Sequence, residues 1–205
     1  MVSTRRRQLS TDTIELLELL AAQATARLET IRHIAVLRRR AAEDALTGVG
    51  NRAAFSEILA AWRRDATDGV VVVLDVDDFK QLNDSFGHAD GDEVLVALAR
   101  SLRQAVRPED AVFRLGGDEF AVLLPGVRAD ERDLVRDRLQ LAAATVLSPR
   151  GISVSVGVAS TGPSTAVEDA VRQADRRMYD AKRMNDGRGL GGLTQAGGSP
   201  RRSPR

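Results

Sequence analysis

Two short segments concentrate the groups able to do chemistry. In GVVVVLDVDDFK, Asp75 and Asp77 close a run of valines and a leucine. In AVFRLGGDEFAVLLPG, Ala111 to Gly126, two apolar runs are interrupted by Gly116, Gly117, Asp118 and Glu119. A carboxylate at the lip of a core needs a cation or hydrogen-bond donors, because burying its charge unpaired is strongly unfavourable. Hard oxygen ligands brought to one edge suit Mg²⁺ or Mn²⁺, which take a few carboxylates and leave positions for phosphate oxygens. The chain has no cysteine and two histidines, so no zinc set is available. Gly116 and Gly117 remove two side chains at the turn and permit close approach by a ligand. Read alone, a Gly-Gly turn flanked by acids is an ordinary solvated hairpin. Its pairing with DVDDFK is what favours a metal and phosphate site.

Other candidates lie nearby. Lys80, five residues past Asp75, can hold a phosphate beside a metal. Asn83 and Asp92 bracket NDSFGHADGD. An amide and a carboxylate together can read the edge of guanine, and equally can serve as a turn residue and a helix N-cap. His88 reads as a loop or packing histidine. Lys80 and Lys182 are the only lysines among 30 basic residues. Thirty basic against 29 acidic residues give a formal charge of +1, so no global positive field draws the chain to nucleic acid or an acidic membrane.

The elements that must position these groups follow from periodicity. Residues 12 to 43 contain no Gly or Pro and read as one long helix. In it Ile14, Leu17, Ala21, Ala24, Leu28, Ile31 and Ala35 form a narrow apolar seam, followed by a second stripe at Ile34, Leu37 and Ala41. The seam suits a dimerising partner helix, against the plainer possibility that it lies on its own domain. From Asp44 onward the pattern predicts helix 51–65, a doubly buried strand beginning at Gly69, and helix 90–106. A hairpin of strands near 111–115 and 119–124 follows, then helix 130–146, a strand within 151–160 and helix 165–183. That order implies an α/β (α+β) domain with a hairpin inserted into a mixed sheet. The Gly-, Ser-, Pro- and Arg-rich tail, 189–205, reads as disordered. No apolar run approaches the roughly 20 residues of a membrane span. The opening MVSTRRRQLSTD lacks the apolar core of a signal peptide, so a cytoplasmic location is expected.

RLGGDEF, DVDDFKQLNDSFGHADGDEVL, DALTGVGNR and ADRRMYDAK together resemble the diguanylate cyclase family, the GGDEF domains of bacterial signalling. The resemblance covers residues 44–188 and implies a fold similar to the palm of nucleotide cyclases and polymerases. It implies condensation of two GTP into cyclic di-GMP and pyrophosphate with Mg²⁺ or Mn²⁺, two ions per site. By position, Asp75, Asp118, Glu119 and the Val76 carbonyl would bind metal. The Phe79 backbone, Lys80 and Lys182 would hold phosphates, Gly116 and Gly117 would make room for GTP, and Asn83 with Asp92 would read guanine. Asp118, Glu119 and Lys80 would be the catalytic groups. Each domain holds one GTP, which implies an antiparallel homodimer aligned by residues 1–43; this helix also resembles the end of a GAF sensor domain running into a signalling linker. Arg107 and Asp110 of RPED match the family's inhibitory product site, implying feedback inhibition. Two departures stand out: Val49 replaces a usual Leu, and AKRMNDGRG places Arg188 six positions after Lys182, leaving Arg188 or Arg183 as the phosphate arginine. The alternative function is a catalytically silent domain that senses cyclic di-GMP or GTP.

Overall fold

The computed structural model describes residues 20, 21, 23–30, 42–162 and 165–189, with only the backbone of 186–189. The chain divides into two compact units, 1–41 and 42–205. In the first, residues 20, 21 and 23–30 are helical and exposed, Ala21, Ala24 and Leu28 of the expected seam among them. The remaining seam residues, and the tail beyond Gly189, lie outside the described residues.

The second unit is built on the strand that ends in the acids. Strand β1, Gly50–Asn51, leads into helix α1, Arg52–Asp65, which begins where the Asn51 side chain accepts the Ala54 N–H. Strand β2, Gly69–Val76, is buried along its whole length. Helices α2, Phe79–Phe86, and α3, His88–Gln104, follow. Strands β3, Ala111–Gly116, and β4, Glu119–Pro125, form the hairpin. Helix α4, Arg132–Leu147, strand β5, Val154–Ser160, and helix α5, Val167–Gly189, complete the unit.

The sheet runs β1-β3-β4-β2-β5, with β1 parallel to β3 and the other neighbours antiparallel. Its mixed character and the inserted hairpin agree with the sequence expectation. Because side chains alternate along a strand, β2 serves two cores. Val70, Val72, Leu74 and Val76 pack with Leu95 and Leu98 of α3 and Leu139 of α4. Val71 and Val73 pack with Phe55 and Trp62 of α1 and Ala170, Ala174 and Met178 of α5. Gly157 lets α5 lie close on β5, since a Cβ there would stand 1.9 Å from the Ala174 carbonyl oxygen.

The structure corrects the reading in two places. FKQLNDSF forms helix α2, although Asn, Asp and Ser favour turns; Leu82 is buried in the core and secures it. The last helix runs to Gly189 rather than stopping at Arg183.

Candidate active site

Strand register brings the two acidic segments together. β2 and β4 pair so that Asp75 lies opposite Glu119, and the Val76 N–H donates to the Asp118 carbonyl at 3.4 Å. Residues directly opposite in an antiparallel pair share a face, so Asp75 and Glu119 point to the face covered by α1 and α5. Each meets a cation from one of those helices. Lys182 Nζ of α5 donates to Asp75 Oδ1, and Arg52 Nη2, at the start of α1, stands 3.5 Å from Glu119 Oε2.

The electrostatics are those of crowded carboxylates. Burial pushes the Asp75 carboxyl up, the Lys182 hydrogen bond opposes it, and the charges of Asp118 and Asp77 add to the rise. Burial acts to lower the Lys182 ammonium, yet its hydrogen bond to Asp75 and the charges of Asp75, Asp118 and Asp77 hold it above the usual lysine value. No three acidic or histidine side chains converge as a metal cage among the described residues. A like-charged pair, Asp75 and Asp118, with hard oxygen donors nevertheless fits Mg²⁺, which binds through one or two carboxylates plus substrate phosphates.

The hairpin turn is clamped from both sides. Gly116 and Gly117 have φ of +149° and +52°, which a side chain would strain. Arg52 Nε donates to the Leu115 carbonyl at 2.7 Å. On the other side Arg114 donates to the Gly117 carbonyl from Nε at 2.9 Å and Nη2 at 2.7 Å. Its Nη1 reaches Asp44 Oδ1 at 3.1 Å. Asp44 in turn accepts the Thr47 N–H and hydroxyl. DALTGVGNR is thus a brace for the glycine turn, a role its sequence did not disclose, because the partners are 63 to 70 residues apart.

The other expected residues occupy two further places. Phe79 and Lys80 open α2, Phe79 half-buried and Lys80 exposed with no ion pair among the described residues. The chain enters α2 through Asp78 at φ +57°. Asn83 lies on α2 with Oδ1 buried and unpaired, and a Cβ at Gly91 would stand 1.9 Å from it. Asp92, the next residue of α3, is exposed. Arg107 and Asp110 form a closed turn away from the acids. The Arg107 N–H donates to Asp110 Oδ2 at 2.8 Å, while the Asp110 carboxylate is buried with Oδ1 unpaired. Arg183 is exposed on α5, and the Arg188 side chain lies outside the described residues.

With this geometry in place, comparison with known proteins is decisive. Residues 41–188 match the family model described as diguanylate cyclase, GGDEF domain. The chain belongs to that family. This GGDEF chain is 39% identical over 160 residues to diguanylate cyclase DgcP of Pseudomonas aeruginosa, covering 74% of this chain and 24% of that one. It is 38% identical over 159 residues to DgcM of Escherichia coli, covering 74% of this chain and 38% of the relative. It therefore spans well under half the length of these curated relatives. Among solved structures it resembles the coiled coil and GGDEF domain of DgcB from Caulobacter crescentus in complex with c-di-GMP. There the TM-score is 0.68 at 32% identity over 82% of this chain and 95% of that one. Diguanylate cyclase SiaD of Pseudomonas aeruginosa, solved with its activator SiaC, gives 0.68 at 32% identity over 84% and 70%. Among the described residues no helix is long and apolar enough to cross a membrane.

Proposed function

We propose that this chain is a diguanylate cyclase that condenses two GTP into cyclic di-GMP and two pyrophosphates. The observation that carries the reading is the pairing of Asp75 opposite Glu119, which sets Asp75, Asp118 and Lys182 at one lip of the sheet. The 3′-oxygen of each ribose bonds to the α-phosphorus of the other nucleotide, and pyrophosphate leaves. Asp75, Asp118, Glu119 and the Val76 carbonyl hold divalent cations, Mg²⁺ or Mn²⁺. When bound, these ions activate the 3′-hydroxyl and stabilise charge on the α-phosphate and leaving group. Lys182, freed from Asp75, and Lys80 at the start of α2 neutralise the triphosphate. The glycines leave space at the turn, and Asn83 with Asp92 engages guanine.

Each domain binds one GTP, so two must face each other antiparallel to close both bonds. In this proposal residues 1–43 align that homodimer, 44–188 catalyse, 189–205 form a tail, and the enzyme works in the cytoplasm. Arg107 presents its guanidinium from the turn that Asp110 closes, and product bound there restrains the reaction. The test is incubation of the purified chain with GTP and Mg²⁺ and chromatographic identification of the product, with Asp118→Ala alongside. Cyclic di-GMP is expected from the parent and none from the variant. Nucleotide binding without turnover, even with dimerisation enforced, would instead favour the silent sensor.

A further inference from the structure

Asp77 is the buried acid of DVDD that the mechanism leaves unused, and it is 2% exposed. Burying a carboxylate without partners costs several kcal/mol, and Asp77 has three. Its Oδ1 accepts the Ser155 hydroxyl at 2.6 Å, and its Oδ2 accepts the Ser153 hydroxyl at 2.5 Å and the Asn185 amide at 3.0 Å. The Asp77 N–H donates to the Ser153 carbonyl at 3.0 Å, and the Asn185 amide also reaches Ser155 Oγ at 3.3 Å. One carboxylate therefore ties the exit of β2 to the start of β5 and to the far end of α5.

What the two serines hold differs from what Asn185 holds. Ser153 and Ser155 belong to the segment that enters β5, already registered against β2 through seven residue pairs. Asn185 lies three residues beyond Lys182, less than one helical turn, so it shares that turn's orientation. Met178 is a buried core residue of α5, and beyond Lys182 the Asn185 amide is the next side chain of the helix that is tied to the sheet among the described residues. It also lies in the stretch AKRMNDGRG, through which the helix continues to Gly189.

We propose that Asp77 and Asn185 are positioning residues that fix the azimuth of α5 and thereby aim Lys182 at the triphosphate. The proposal rests on the cyclase reading above. Lys182 contacts phosphate in both the bound and the reacting state, so a misaimed Lys182 weakens binding more than it slows the step.

The experiment compares Asn185→Ala, Asn185→Asp and Ser153→Ala in the full chain. Each alanine removes one donor from the same carboxylate, so a merely structural role predicts equal effects. Amide hydrogen exchange without nucleotide reads the tether: faster exchange over the last turns of α5 is expected in the Asn185 variants only. Binding of a non-hydrolysable GTP analogue with Mg²⁺ and steady-state kinetics read the aim. Asn185→Ala should weaken analogue affinity and raise KM about tenfold with kcat within about twofold, the size of one contact to a charged group. Asn185→Asp, nearly isosteric but bringing a second carboxylate to Asp77, should be worse than alanine. Ser153→Ala should leave KM unchanged. Equal KM in the Asn185 and Ser153 variants, or unchanged exchange in α5, overturns the proposal. A parent that binds no GTP analogue overturns both this proposal and the cyclase reading, whereas a parent that binds without turnover removes only the reaction and leaves the aiming test intact.

Discussion

Arg114→Ala should be more damaging than an ordinary surface arginine substitution, and the size of the loss can be worked from its contacts. The guanidinium makes two bonds to the Gly117 carbonyl and one ion pair with Asp44, with side chains 15% and 22% exposed. Exposed pairs contribute below about 1 kcal/mol, whereas hydrogen bonds to charged groups contribute about 1.5–3 kcal/mol. Each contact at a site of this burial falls near the boundary of the two ranges, and losing all three together should cost the variant about 2–3 kcal/mol. Urea denaturation of Asp44→Ala, Arg114→Ala and the double variant isolates the pair, with a coupling of about 1 kcal/mol expected at pH 7. Burial acts to raise the Asp44 carboxyl, but the Thr47 and Arg114 bonds outweigh it and hold it below the usual carboxylate value. A depressed folded pKa contributes stability above the unfolded value and loses it as pH falls through the folded one. The coupling should therefore be constant from pH 7 to about 5 and shrink below about 4. Because the same turn carries Asp118, the initial rate should fall about tenfold or more. Additive single-variant energies, or an unchanged rate, would refute the view that DALTGVGNR braces the turn.

Other substitutions probe separate links. Gly157→Ala forces a Cβ to within 1.9 Å of the Ala174 carbonyl and 2.4 Å of the Met178 nitrogen. It should lower the melting temperature, with a loss of about 1–3 kcal/mol or more, and weaken GTP binding as α5 is pushed away. Gly91→Ala drives a methyl into Asn83 Oδ1, so KM for GTP should rise while the rate with saturating substrate changes less. Arg107→Ala should leave initial rates and stability alone and raise final product accumulation. Asp110→Ala should in addition cost about 1 kcal/mol in denaturation because the Arg107 N–H loses its acceptor.

The main elements were legible because β2 reads as an unbroken apolar run and the hairpin as two, with glycines between. The acids could be assigned to one edge because register follows from pairing. What did not show was whatever depends on partners distant in sequence. Arg52 and Arg114 are two of many arginines, and nothing local marks them as holding carbonyls of the turn. Asp77 closes the same apolar run as Asp75, and both meet α5. One partner is the expected phosphate lysine and the other is Asn185, which periodicity leaves without a role. Helix α2 was hidden by residues with turn preferences whose one buried leucine decides the matter.

The alternation of β2 makes it a party wall between two cores. Trp62, the chain's only tryptophan, sits in one of them with Val71 and Val73, while α3 and α4 pack on the other side against Val70, Val72 and Leu74. Neither side can loosen without the wall losing half its support. A single fluorophore therefore reports on helices it never touches, and the emission of Trp62 and the helical circular dichroism of residues 42–189 should follow one common transition.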